Sequence, residues 1–222
     1  MKLQYLGDSR DSFKWHYHDY LTNGMDVRYL DIIPMLLPND KTGQGNTHAN
    51  EYQSTPEILK FCEHLRDKPF LHSIEKLPEF TGLNYRVRIH KPYETYTFRN
   101  SRKYFDGIDG GNLTFIDPCT GFEPKHPKDE HISFADLSYL IDVLPKCAVI
   151  SVYQHKQRRT FQDTYSDIRR YMKAHHRHSK ITAIHNSHVM MVQITICSNK
   201  LEEVRAINQA YAHENDKISI II

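Results

Sequence analysis

Apolar and polar positions along the chain alternate between two periods. Short unbroken apolar runs read as strands buried on both faces, and segments with apolar residues three and four apart read as amphipathic helices. Leu113-Thr114-Phe115-Ile116 and Cys147-Ala148-Val149-Ile150-Ser151-Val152-Tyr153 are the two strongest strands. Leu3 to Leu6, Val27 to Ile33, Tyr85 to Ile89, Val189 to Ile196 and Ile218 to Ile222 are further candidates. Helices are predicted from Asp8 or Ser9 to about Leu21, from Thr55-Pro56, over Asn100 to Phe105, from Ser133 to Leu144, over Thr160 to His176, and around Leu201 to Ala212. The side-chain oxygens of Asp8, Thr55 and Ser133 can cap free amides, Pro56 suits a first helical turn, and Asn23-Gly24 supplies a left-handed stop. In the first helix Phe13, Tyr17, Tyr20 and Leu21 form the buried stripe, while Asp11, Lys14 and His18 lie on a separate polar face.

Strand and helix patterns in alternation predict an α/β fold: a single layered sheet with helices on both faces and a C-terminal antiparallel strand pair. One domain is expected over 1–222, with a mobile loop at 39–54 and an irregular insertion at 68–99 broken by Pro69, Pro78 and Pro92. No internal repeat interrupts this reading.

Net charge adds little, because 29 basic residues against 27 acidic ones leave only +2. Its distribution says more. Lys156 to Lys180 carries Arg158, Arg159, Arg169, Arg170, Lys173 and Arg177 against only Asp163 and Asp167, which suits a nucleic acid or another polyanion, or else a solvated helix. The four cysteines are scattered with no C-x-x-C pair, so neither a metal knuckle nor a disulfide framework is predicted. No apolar run approaches the length of a membrane span, so a soluble cytoplasmic protein with no membrane partner is expected.

Candidate chemistry centres on Phe115-Ile116-Asp117-Pro118-Cys119-Thr120-Gly121-Phe122-Glu123. Proline cannot donate to a ladder, so Asp117 sits at the carboxyl end of its strand, where open α/β sheets bind ligands. Glu123 and His155, which follows the second strong strand, are the other candidate acid/base groups on that edge. The alternative to an acid/base site is a turn in which Asp117 caps backbone amides.

This segment resembles the Asp-Pro-Pro-Tyr stretch of S-adenosylmethionine-dependent, Rossmann-like adenine methyltransferases. The resemblance extends upstream to Asp11-Ser12-Phe13-Lys14 on the first helix and to Val27-Arg28-Tyr29-Leu30-Asp31, a strand ending in an acid. It implies methylation of a nucleic acid, with Asp117 accepting a hydrogen bond from the target amine and Lys14, Asp11 and Asp31 holding the cofactor. Arg158, Arg159, Arg169, Arg170 and Lys173 would hold phosphates. Departures are plain: Ile32-Ile33-Pro34-Met35 stands in place of a glycine-rich turn, and Cys119-Thr120 in place of Pro-Tyr, leaving Phe122 as a stacking ring. Two other readings stay open. One is a nuclease or phosphoesterase in which a divalent metal works with Asp117, Glu123 and His155. The other is a non-catalytic nucleic-acid binder of the same fold.

Overall fold

A computed structural model describes residues 1–40, 47–52 and 54–221. The elements run α1 (Ser9–Gly24), β1 (Tyr29–Ile33), α2 (Pro56–Asp67), α3 (Leu77–Thr81), β2 (Arg86–Ile89), α4 (Ser101–Phe105), β3 (Leu113–Ile116), β4 (Gly121–Phe122) and β5 (His131–Ile132). They continue as α5 (Phe134–Val143), β6 (Val149–His155), α6 (Phe161–His175), β7 (Lys180–His185), β8 (Val189–Thr195), α7 (Ser198–Glu214) and β9 (Ser219–Ile221). Leu3–Tyr5 forms a single 3-10 turn where a strand was expected.

Among the described residues seven strands form one sheet in the order β2-β1-β3-β6-β8-β7-β9. The first four are mutually parallel, β8 runs antiparallel to both β6 and β7, and β9 is antiparallel to β7. The chain leaves β1 towards β2, then returns past β1 to β3. That reversal opens a crevice at the carboxyl ends of β1 and β3. The α/β layered fold is as the apolar pattern predicts. The expected C-terminal antiparallel pairing is present, with Lys180–His185 adding a further antiparallel strand between β8 and β9.

Residues alternate across the sheet, so each strand supplies both cores. Leu30, Ile32, Leu113, Phe115, Val149 and Met191 face α1, α2 and α7. Ile33, Ile116, Ile150, Val152, Met190 and Val192 face α4, α5 and α6. At roughly 25 cal/mol per Å² of apolar surface removed from water, such two-sided burial makes these strands the most stabilised part of the chain.

Several local expectations change in this context. The stretch 68–99 is not an insertion beside the sheet: it holds α3 and edge strand β2, and β2 is bonded to β1. Within the loop expected over 39–54, residues 41–46 and 53 lie outside the described residues, whereas Ala49–Glu51 forms a 3-10 turn. Helix α1 shows the largest difference. Its apolar stripe is buried as predicted except for Tyr20, which is half-buried, and its polar face is buried too: Asp11, Lys14 and His18 all turn inwards. His18 stacks on Phe115 with ring centroids 3.8 Å apart and bonds Ser151 Oγ at 2.9 Å. Burial pushes its pKa down to about 3, so the ring is neutral in the core.

Cys147 and Cys197 are joined by a disulfide, correcting the expectation of free thiols, while Cys62 and Cys119 remain free. Spacing could not reveal this pair, since the two cysteines are 50 residues apart and meet only where the approach to β6 passes the start of α7. A cross-link over that separation constrains the unfolded chain by roughly 4 kcal/mol. Thiol titration in denaturant without reductant should therefore find two reactive cysteines, rising to four after reduction. Finding four at the outset would show that the link does not form.

Candidate functional site

A cavity of about 440 Å³ opens at the carboxyl edge, beside the crevice between β1 and β3. Helix α1 runs back along the sheet after a short link to β1, so its first turn stands over this edge. Asp8 caps the helix, its side chain accepting from the amides of Arg10 and Asp11. Asp11 Oδ2 accepts from Gly7 N at 2.9 Å. One turn further on, Lys14 Nζ lies 2.5 Å from Asp11 Oδ1 and 2.8 Å from Asp117 Oδ2. Asp117 follows β3 directly, and its amide bonds Ile33 O at 2.9 Å.

These charges are taken out of water. Asp8, Asp11, Lys14 and Asp117 are between 2 % and 5 % exposed. Burial by itself would drive Lys14 towards its neutral form, but the charges of Asp11 and Asp117 and the hydrogen bonds to both more than offset it, and the ammonium is held charged. Asp8 is pushed up to about 6 by burial and by the neighbouring Asp11 carboxylate. The ring faces of Trp15 and Tyr153 lie 4.9 and 5.9 Å from Lys14 Nζ.

His155 lines the same cavity, because β6 pairs with β3 and Tyr153 and His155 alternate onto one side of β6. Burial and then the positive charge of Arg10 pull His155 down to about 4, leaving it neutral at pH 7. Cys119 also borders the cavity, and burial pushes its thiol up, away from the reactive thiolate. The Met1 amine donates to Met35 O at 3.1 Å and Asp117 O at 3.0 Å. Arg10, Tyr5 and Glu130 also line the cavity, as do Lys2 and Asp40. Arg10 sits in a charged run that was visible in sequence, whereas Glu130 gave no signal.

Two predicted site residues lie elsewhere. Asp31 is not the end of β1, which continues to Ile33. Its carboxylate bonds Arg88 Nε at 2.5 Å and Nη2 at 2.9 Å, and it accepts from Gly111 N just before β3, on the side of the sheet away from Asp117. Glu123 accepts from Phe134 N at 2.7 Å at the start of α5, and it lines a separate cavity of about 400 Å³ with Arg159 and Asp167. Between Asp117 and Glu123 the chain passes through β4, which pairs in parallel with β5. Gly121 holds φ at 130°, with its Cα side against Gln154, where a Cβ would fall 2.2 Å from Oε1. Phe122 N bonds that same oxygen at 3.0 Å, and the Phe122 ring is buried against Phe134 instead of facing Asp117.

Asp117, Glu123 and His155 therefore do not form one set, and among the described residues no three His, Cys, Asp or Glu side chains are grouped to hold a metal. The basic residues also divide. Arg158 and Arg159 follow β6 at the carboxyl edge, Arg159 and Arg170 both pair with Asp167, and Arg169 and Lys173 line a cleft near the start of β7.

The chain is thus a Rossmann-like α/β protein with a buried charge cluster at its switch point. No protein-family model, curated protein or solved structure matches it.

The cluster makes two predictions. Lys14→Met leaves two buried carboxylates without their cation and should lower stability by roughly 3–5 kcal/mol in denaturant unfolding. Adding Asp11→Asn and Asp117→Asn should recover most of that loss, and no recovery would mean that Lys14 acts through packing. Asp8 titrates near 6 in the fold against 3.8 in a free chain. Between those values the folded state keeps a proton that the unfolded chain has released, so stability falls as pH rises from about 4 to about 6. Asp8→Asn keeps a capping oxygen and should flatten that slope in pH-dependent unfolding. An unchanged slope would assign it to another group.

Proposed function

We propose that this is a methyltransferase-like protein acting on nucleic acid, with S-adenosylmethionine as the methyl donor and a base amino group as the acceptor. One observation carries the reading. Lys14 of the first helix meets the Asp117 carboxylate at 2.8 Å, at the carboxyl end of β3 and on a cavity of about 440 Å³. The resemblance gives both residues a role at one site, Asp117 at the target amine and Lys14 at the cofactor, and the volume lies within the range of small-ligand sites.

The charges around the cavity suit this cofactor. Asp8, Asp11 and Asp117 are buried carboxylates that would meet a sulfonium cation, on a wall that also carries Lys2, Lys14, Asp40 and Glu130. Arg10 on the cavity wall suits a carboxylate. When bound, S-adenosylmethionine would supply an electrophilic methyl group. Asp117 would accept a hydrogen bond from the target amine, and Lys14, itself pinned by Asp11, would fix the orientation of that carboxylate. His155 and Tyr153 line the wall across from α1.

A second reading is favoured by Asp31, which is committed to Arg88, and by the absence of glycine from Ile32 to Met35. On that reading the protein binds nucleic acid through the same fold without the cofactor. Calorimetry separates the two. The first expects heat with S-adenosylmethionine and with its demethylated product, and methyl transfer to RNA or DNA that drops roughly 100-fold in Asp117→Asn. No heat at millimolar cofactor, together with salt-dependent oligonucleotide binding, would leave the second reading in its place.

A further inference from the structure

The opposite edge of the sheet carries a different kind of site. Where β7 begins, β8 ends and α7 starts, a cleft of about 570 Å³ is lined by Arg169, Lys173, Arg177, Lys180 and Arg205. Glu202 is the acid on its wall, and it is already bonded to Arg205 Nη1 at 2.8 Å. Among the described residues no carboxylate pairs with Arg169, Lys173, Arg177 or Lys180. Like charges converging in so small a volume repel one another, and among the described residues lining the cleft only Glu202 stands against them.

Three further features point inwards. Helix α7 begins in this cleft at Ser198, with no side-chain cap at Cys197 and no acid in its first turn, so its free amides and the positive end of its dipole face the cations. Ser179 lines the cleft at 5 % exposure, and its Oγ has no hydrogen-bond partner. Arg205 Nε is likewise buried without a partner. A buried hydroxyl without a partner costs about 1–3 kcal/mol, and a ligand oxygen would remove that cost. The Cys147–Cys197 disulfide fastens the residue from which α7 starts.

We propose that this cleft binds the phosphate group of a small, nucleotide-sized phosphorylated ligand. Guanidinium groups offer forked donors matched to phosphate oxygens, lysines add point charge, and helix amides complete the oxyanion's coordination. The volume holds a mononucleotide and not a folded polymer. The site lies about 20 Å of strand away from Asp117 and does not rest on the function proposed for the carboxyl edge.

Calorimetry of the full chain at low salt tests it, using pyrophosphate and a mononucleoside monophosphate as probes. Wild-type protein should bind at least one of them. The affinity should fall at least tenfold in Lys173→Gln/Arg177→Gln, whose side chains are exposed and should leave the circular dichroism spectrum unchanged. Ser179→Ala should weaken binding severalfold, and Arg158→Gln, outside the cleft, should not. Absence of heat with both probes, or equal affinity in wild type and the double variant, overturns the proposal. Binding of an oligonucleotide alone, with neither small probe bound, overturns it as well, since the cations would then be a backbone track and not a phosphate pocket.

Discussion

A buried ammonium needs its counter-charges close and in fixed positions, and in this protein that need ties the first helix to the centre of the sheet. Lys14 has two partners, one on its own helix and one 103 residues away at the end of β3. Losing either partner would leave charge in a low-dielectric interior, so the register of α1 on the sheet is strongly specified. The rest of α1 follows that constraint. One turn along, His18 bonds Ser151, and on the adjoining side Tyr17 bonds Asn208, which in turn bonds Gln193. Polar links thus join α1 to β6, and through α7 to β8, in a core otherwise made of rings and branched chains.

The same constraint shapes the cavity at the carboxyl edge. With Lys14 drawn down to Asp117, the first turn of α1 brings Asp8 and Arg10 over the strand ends. Asp11 and Asp117 share one lysine, and Asp8, buried beside Asp11, holds its proton up to about pH 6. The Asp-Pro segment ends the strand cleanly, and Gly121 then lets the chain pass against Gln154 on its way to α5. The second carboxylate, Glu123, leaves the edge by that route.

The two edges of the sheet differ in charge. The carboxyl edge mixes acids and bases at close range and largely neutralises them internally. The amino edge gathers five cations around a helix start, with Glu202 as the one acid among the described residues lining the cleft. The disulfide lies at the second edge, between the approach to β6 and the start of α7. An α/β sheet of this kind can therefore carry two chemically independent sites, one at its switch point and one where its antiparallel strands turn.

By itself, the sequence determined the elements that local physics controls. Apolar runs marked β3, β6 and β8. Side-chain caps marked the starts of α1, α2 and α5 within a residue, and the place of Asp117 at a strand end followed from the proline after it. Strand β7 was missed although Ile181, Ala183 and Ile184 were in plain view, because its run is interrupted by Thr182 and bracketed by charge. What only the tertiary structure decided is which polar residues go inside. Asp11, Lys14 and His18 look like a solvated face, and Val27 to Asp31 looks like a strand aimed at a ligand. Burial of a charge depends on a partner, and the decisive partners lie far away in sequence: Asp117 for Lys14 and Arg88 for Asp31, as Cys147 does for Cys197 in the disulfide. Hydrophobic periodicity is a property of neighbours along the chain, whereas pairing of buried polar groups is a property of the packed fold.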